Sequence, residues 1–295
     1  MTATPVTGEL LRATPLPVPH EGSKDDRGRV LIVAGCVEVP GAALLSGTAA
    51  LRAGAGKLQI ATSASVAPAM ALIVPEALVI GLQETADGGV DSAAAAKKLL
   101  PKIERCDAVL VGPGMMEDDD TRALTAAFLA GPASVAFVLD AASVCGLQAD
   151  AAAVRARNGQ VVITPHAGEM ARLLDRSRED VEADPVGAAR AAAELLHAVV
   201  VMKGAQTQIV DPQGAVWSYT GGGVGLATSG SGDVLAGLIV GLLARGATPV
   251  QAATWGVYLH GEAGARLART QGPVGFLARE LAGEAPLILR DVGPG

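Results

Sequence analysis

Half of the 295 residues are hydrophobic but only 2% are aromatic, so Ala, Val, Leu and Gly must fill a large core. The net charge of −7 argues against a nucleic-acid partner, and the chain shows neither a signal peptide nor an apolar run near the ~20 residues that cross a membrane. The three cysteines lie far apart, which favours a role as small buried hydrophobic residues over a disulfide framework or a zinc site. Together these features predict a soluble cytoplasmic protein.

The N-terminal 28 residues carry four prolines and predict an extended arm outside the core. From residue 29 onward, continuous apolar segments alternate with segments of helical character. The predicted strands occupy residues 30–35, 58–62, 77–82, 108–111, 136–140, 161–163 and 199–204, and a hairpin that turns at 212–214 lies between 207 and 220. The predicted helices occupy 41–53, 91–105, 121–129, 185–197 and 233–269, the last with a break at 246–249.

Continuous apolar strands that alternate with helices are typical of a mostly parallel central sheet with helices on both faces. Since no internal linker or repeat is visible, the sequence predicts an α/β fold with a single domain over 29–285 and a C-terminal tail over 286–295. Ligands of such sheets bind beyond the carboxyl ends of the strands. We therefore expect the functional residues along that edge, where polar residues follow most strands.

The strongest local signal is a turn of small residues, Gly230, Ser231 and Gly232, followed by Asp233 and an apolar run over 234–243. The run predicts a helix, and its start offers backbone N–H groups at the positive end of a helix dipole, which is a typical phosphate site. A carboxylate there repels phosphate unless it has a chemical task. Asp233 is therefore either a general base for a hydroxyl that attacks phosphorus or an ordinary helix cap, and these residues alone do not separate the two.

Two further strand ends carry candidate ligand contacts. His166 follows a strand, and Glu169 lies three residues later. This pattern fits either an imidazole that contacts a ligand or a helix start closed by a capping box. The position of His166 at a strand end slightly favours the ligand contact. Lys203 ends a Val-rich strand, where its ammonium could meet a phosphate oxygen or could simply reach solvent.

Other polar positions favour an ordinary structural role when taken alone. Asp140 at a strand end is typical of turn formation, and Gly112, Pro113 and Gly114 are typical of a tight turn. His260 lies within a predicted helix, where a packed or half-exposed histidine is commoner than a ligand.

Together these segments resemble the ADP/ATP-dependent NAD(P)H-hydrate dehydratases, a branch of the ribokinase-like superfamily. The TPHAGE sequence at 164–169 and the LHG sequence at 259–261 are the more specific features, whereas the GSGD turn marks only the superfamily. The matching segments run in family order from about residue 28 to about 270 and are 30–35, 40–43, 49–56, 111–114, 139–141, 164–169, 203–207, 230–237 and 259–261.

The resemblance implies a ribokinase-like fold and repair of NADHX or NADPHX, the hydrates of NADH and NADPH. It implies ADP or ATP as co-substrate, Mg²⁺ on the phosphates, and phosphorylation of the C6 hydroxyl before elimination. It implies that the hydrate contacts Ala42, Gly114, His166 and Asp233, with Asp233 as the catalytic base. It also implies an adenine-nucleotide site with no protein metal ligand, formed by Lys203, Gly204, Ala205, Gln206, Thr207, Gly230, Ser231 and Gly232.

The resemblance further implies a homotetramer. It implies no epimerase activity, because a short arm stands where many relatives carry an epimerase domain. Two alternatives remain open. A ribokinase-like kinase for a vitamin-precursor alcohol would use the same turn and base but would release a stable phosphate ester. A nucleotide-binding sensor without turnover is disfavoured only by Asp233, since a pure binder gains nothing from that repulsion.

Overall fold

The structure is a computed structural model that describes residues 3–18 and 24–293. Its strands are β1 (Thr4–Pro5), β2 (Arg29–Val33), β3 (Lys57–Ser63), β4 (Ala77–Leu82), β5 (Ala108–Val111), β6 (Ala136–Leu139), β7 (Val161–Ile163), β8 (Val199–Met202), β9 (Thr207–Val210) and β10 (Val216–Tyr219). Its helices are α1 (Gly8–Ala13), α2 (Gly41–Arg52), α3 (Ala67–Ile73), α4 (Ser92–Ile103), α5 (Asp119–Leu129), α6 (Ala151–Arg155), α7 (Ala167–Leu174), α8 (Arg178–Ala183), α9 (Pro185–Leu196), α10 (Ser231–Ala244), α11 (Pro249–Gln271) and α12 (Ala278–Val292).

The described strands form a single ten-stranded sheet in the order β1-β10-β9-β8-β7-β6-β5-β2-β3-β4. Strands β2 to β8 pair with one another in parallel, while β9 is antiparallel to both β8 and β10. Each face of the sheet carries its own hydrophobic cluster; Ile32 of β2 belongs to one and Val33 to the other. The predicted α/β domain with helices on both faces is therefore confirmed.

Small residues bring α10 close to α2. A Cβ atom at Gly237 would lie 2.3 Å from the carbonyl oxygen of Ser46, and one at Gly241 would lie 2.5 Å from that of Ala50. Since real Cβ atoms do not approach backbone so closely, only glycine fits at these two positions. This packing sets the position of α10 relative to α2. The predicted anion site lies at the N-terminal end of α10.

The prediction of an extended arm outside the core was wrong. Thr4 and Pro5 pair with β10 at the edge of the sheet, and Gly8–Ala13 form a helix. Leu11 is fully buried in the main hydrophobic cluster, so burial of apolar side chains draws the arm onto the domain despite its prolines. One of those prolines, Pro19, lies outside the described residues.

Two further sequence predictions need correction. The tail predicted from residue 286 is helical, because α12 runs from Ala278 to Val292 with Pro286 inside it and Ile288 buried. Of the cysteines, Cys36 and Cys106 are buried as predicted, whereas Cys145 is only half-buried. No helix in the described part of the chain is long and apolar enough to cross a membrane.

Candidate active site

The turn before α10 presents free backbone N–H groups. Gly230 caps the helix with a φ of +84°, a left-handed conformation that favours glycine. The N–H of Ser231 donates to the carbonyl oxygen of Thr228 at 3.2 Å, whereas those of Gly232 and Asp233 have no backbone acceptor among the described residues. Because both groups lie at the positive end of the dipole of α10, they form a favourable place for a phosphate oxygen.

The carboxylate of Asp233 stands half-buried in the first turn of α10. Within residues 3–18 and 24–293 it accepts no hydrogen bond, so the capping interpretation is not what the structure shows. Burial, with a smaller contribution from the charge of Asp140, raises the pKa of Asp233 to about 6, although the Lys203 ammonium opposes this shift. An unpartnered carboxylate with such a pKa is suited to accept a proton near neutral pH.

A buried charge network lies beside this turn. The Nζ atom of Lys203 is 2.8 Å from Oδ1 of Asp140 and 3.7 Å from Oε2 of Glu169. The Thr164 hydroxyl donates a hydrogen bond of 2.6 Å to the same Asp140 oxygen. Burial lowers the pKa of Lys203, but the charges of Asp140, Glu169 and Asp233 outweigh burial and raise it, so the lysine remains a cation at neutral pH.

The lysine reaches the turn formed by Gly230, Ser231 and Gly232, which we call the anion turn, because a Cβ atom built on Gly232 would lie 3.4 Å from Lys203 Nζ. The interpretation of Lys203 as a side chain that simply reaches solvent is therefore wrong. The turn-forming role expected for Asp140 is wrong as well: its side chain is 2% exposed, makes no cap hydrogen bond and contacts Lys203 instead. A carboxylate directly after a fully buried strand was the signal that could have identified it.

Four adjacent strands, β5 to β8, bring these residues to one edge of the sheet. Gly112 follows β5 and passes so close to Asp140 that a Cβ atom would lie 1.9 Å from the Asp140 carbonyl oxygen. Gly114, with a φ of +63°, meets the start of α2, since a Cβ atom there would lie 2.6 Å from Cβ of Ala42. The structure thus places Ala42 and Gly114 side by side.

His166 begins α7 with a complete capping box. Its Nδ1 accepts the N–H groups of Gly168 at 3.0 Å and Glu169 at 3.2 Å, while Glu169 Oε2 accepts the N–H of His166 at 2.7 Å. The capping interpretation is confirmed. Since Nδ1 acts as an acceptor, the proton of the neutral imidazole lies on Nε2, on a side chain that is 55% exposed. His166 therefore caps its helix through Nδ1, while its Nε2 lies 3.4 Å from Oε1 of Glu169.

The proposed nucleotide segment borders a cavity of about 580 Å³ next to His166. Gly204, Ala205 and Gln206 are exposed in the turn between β8 and β9, and Thr207 begins β9. The N–H of Lys203 donates to the Pro165 carbonyl oxygen at 2.8 Å, so the segments after β7 and β8 lie side by side. The cavity is lined by His166, Ala167, Arg178, Glu182, Pro185, Met202, Lys203, Gly204, Ala205, Gln206 and Gln208.

A comparison with models of known protein families identifies the family of this chain. A family model described as NAD(P)H-hydrate dehydratase matches residues 30–287. The chain belongs to the NAD(P)H-hydrate dehydratase family. The resemblance inferred from the sequence motifs is therefore confirmed, and the chain is an enzyme of this family rather than a sensor.

Relatives of known sequence support the assignment over the whole length. The chain is 50% identical over 289 residues to the ADP-dependent (S)-NAD(P)H-hydrate dehydratase of Xanthomonas campestris pv. campestris, covering 96% of this chain and 95% of that protein. It is 38% identical to a bifunctional NAD(P)H-hydrate repair enzyme of Moorella thermoacetica, of which it covers 51%.

Solved structures agree with the fold. The ADP/ATP-dependent NAD(P)H-hydrate dehydratase of Bacillus subtilis, co-crystallised with ATP and Mg²⁺, superimposes with a TM-score of 0.83 at 29% identity and covers 99% of each chain. A hydroxyethylthiazole kinase of Pyrococcus horikoshii has a TM-score of 0.59 at 18% identity over 91% of each chain. This second likeness concerns the fold alone. The predicted ribokinase-like fold is confirmed by a ribokinase-like superfamily protein of Enterococcus faecalis, which has a TM-score of 0.84 at 25% identity and covers 99% of this chain and 96% of that chain.

Proposed function

We propose that this protein uses ADP or ATP to return NADHX and NADPHX to NADH and NADPH. The observation that carries the proposal is Asp233, a carboxylate without a hydrogen-bond partner in the described chain, beside two free N–H groups at the start of a buried helix. The relative from Xanthomonas campestris, which is 50% identical, is named as an ADP-dependent dehydratase of this substrate class.

The proposed chemistry converts a poor leaving group into a good one. Hydroxide does not readily leave C6 of the hydrated nicotinamide ring. Asp233 accepts the proton of the C6 hydroxyl as the hydroxyl oxygen attacks the terminal phosphorus of the nucleotide, whose bond to the bridging oxygen breaks to release AMP from ADP or ADP from ATP. The N–H groups of Gly232 and Asp233 and the Lys203 ammonium stabilise the negative charge on the transferring group. The ring nitrogen lone pair then expels phosphate, and loss of a C5 proton restores the C5–C6 double bond.

We further propose the ligand contacts inferred from the family resemblance. His166, through its Nε2–H, and the close pair of Ala42 and Gly114 would contact the hydrate. The segment from Lys203 to Thr207 would hold the adenine nucleotide. Mg²⁺ held by the phosphate oxygens would neutralise part of their charge, which leaves the Asp233 carboxylate available as the base. A homotetramer and a cytoplasmic location also remain proposals.

The test is direct. Purified protein is mixed with NADHX or NADPHX, MgCl₂ and either ADP or ATP, and the absorbance of the reduced nicotinamide is followed. We expect absorbance to appear with release of inorganic phosphate, and only when nucleotide is present. If the hydrate stays unchanged while a thiazole or pyridoxal alcohol becomes phosphorylated, the kinase alternative is correct instead.

The two roles of His166 predict different results for two variants. His166→Asn keeps a side-chain oxygen that can cap α7, so we expect its thermal stability to be unchanged. It removes the Nε2–H, so we expect the KM for the hydrate to rise by roughly fivefold or more, which corresponds to the loss of about one hydrogen bond. His166→Ala loses the cap as well, which costs about 1 kcal/mol of unfolding free energy. Urea unfolding and steady-state kinetics measure both effects. A normal KM in His166→Asn would leave His166 with a capping role only.

A further inference from the structure

A second histidine contacts the anion turn from the opposite side. Nε2 of His260, on α11, lies 2.8 Å from Oγ of Ser231, the first residue of α10. The Ser231 side chain is shielded from solvent, with the residue 6% exposed. Burial lowers the pKa of His260 to about 4, so the ring is neutral at physiological pH. A neutral ring can share this hydrogen bond without adding a positive charge to the helix start.

The hydrogen bond matters because of what Ser231 would otherwise do. Serine hydroxyls near a helix start commonly bond to nearby free backbone N–H groups. Here the Ser231 hydroxyl pairs with His260 and takes none of the N–H groups of α10. The N–H groups of Gly232 and Asp233 also have no backbone acceptor among the described residues, so neither the backbone nor the Ser231 hydroxyl occupies them.

We propose, on the basis of the phosphoryl transfer proposed above, that His260 is a positioning residue. It holds the Ser231 hydroxyl away from the helix start, so that the N–H groups of Gly232 and Asp233 remain available to the transferring phosphoryl group. His260 acts through Ser231 and touches neither substrate nor nucleotide. Small displacements of groups around a reacting centre are costly, up to about 10²-fold in rate for roughly 1 Å.

The experiment compares His260→Ala, His260→Gln, Ser231→Ala and the double variant His260→Ala/Ser231→Ala. Glutamine places an amide near the position of the imidazole Nε2 and can restore the hydrogen bond. Thr254→Val is the matched control, because Thr254 is buried on the same helix and, among the residues that the structure describes, its hydroxyl bonds to Val250 and Gln251 of that helix alone. Turnover of NADHX gives kcat and KM, calorimetry gives the Kd of ADP with Mg²⁺, and thermal melting reports folding.

We expect His260→Ala to lower kcat by about tenfold or more while the KM for the hydrate changes by less than about twofold. The Kd of ADP should rise in the same variant. His260→Gln should recover kcat and Kd to within about threefold of the wild type, and the double variant should be no less active than His260→Ala, because both residues act as one unit. Thr254→Val should match the wild type in all measurements.

A kcat of His260→Ala within twofold of the wild type would overturn the proposal. So would a double variant in which the kcat losses of the two single variants multiply. A third contrary result would be a low kcat in a well-folded His260→Gln protein. The function itself is tested by the wild type alone. If the wild type leaves NADHX unchanged, the proposed function fails. The Kd of ADP in the same four variants still decides whether His260 positions the turn.

Discussion

Asp233→Asn is expected to abolish turnover while leaving the fold and nucleotide binding intact. The amide has the same size and also suits a helix start, but it cannot accept the hydroxyl proton, and a general base contributes about 10²–10⁴-fold to rate. The substitution also removes a negative charge near the phosphates, so the affinity for ADP should stay equal or increase. Turnover of NADHX and calorimetric titration with ADP and Mg²⁺ measure the two effects side by side.

The same variant should be more stable than the wild type at neutral pH. The pKa of Asp233 is about 6 in the folded protein and lower in the unfolded chain, so the folded state binds more protons in the window between them. Stability therefore falls as pH rises through this window, by an amount on the order of 2 kcal/mol. Asparagine does not titrate, so its advantage should appear above about pH 6 and vanish below about pH 4.

In the wild type, kcat/KM should fall as pH drops below about 6, because protonated Asp233 is no longer a base. Glu84→Gln is a suitable control, since the Glu84 carboxylate accepts the backbone N–H of Ser65 and lies outside the network around Lys203. Near-normal turnover in Asp233→Asn would remove Asp233 from the chemistry. An unchanged pH dependence of stability between pH 4 and 6 would show that its burial does not perturb its proton affinity.

Lys203→Met is expected to cause the largest loss of stability. The Asp140 side chain is 2% exposed, and removing its partner cation leaves a buried carboxylate whose one remaining side-chain donor in the described part of the chain is the Thr164 hydroxyl. Breaking a buried ion pair in this way costs about 3–5 kcal/mol. The variant should also bind ADP more weakly, because the ammonium beside Gly232 is lost. Urea unfolding at pH 7.5 and calorimetry test both effects.

Adding Asp140→Asn to Lys203→Met should recover part of the stability, since it removes the buried carboxylate closest to the lost ammonium while Glu169 stays buried. It should not restore ADP affinity. Lys97→Met is the control, because Lys97 is exposed on α4 and such substitutions change stability by about 0.5 kcal/mol or less. If Lys203→Met cost no more than Lys97→Met, the network would have no structural weight. If the double variant regained full ADP affinity, the lysine would not contact the nucleotide.

Local patterns predicted most of the architecture. The strand over 77–82 has the bounds of β4, and the hairpin that turns at 212–214 joins β9 to β10. These predictions succeed because a continuous apolar run or a Pro-Gly turn contains its own structural signal. The prediction for the N-terminal arm was wrong because it used local signals alone. Four prolines indicate an extended segment, whereas the burial of Leu11 depends on contacts with a hydrophobic cluster formed by residues far away in the sequence.

The sequence alone determined strands β2 to β10 and helices α2, α4, α5, α9, α10 and α11, because each rests on residues close together in the chain. It also determined the family, through motifs that recur in order along the chain. It did not predict β1 or helices α1, α3, α6, α7, α8 and α12. Only the tertiary structure decided the partners within the site. Lys203 and Asp140 are 63 residues apart, and Ser231 and His260 are 29 apart, so no local pattern specifies either contact. Burial likewise sets the pKa of Asp233, and burial exists only once the sheet and α10 have packed.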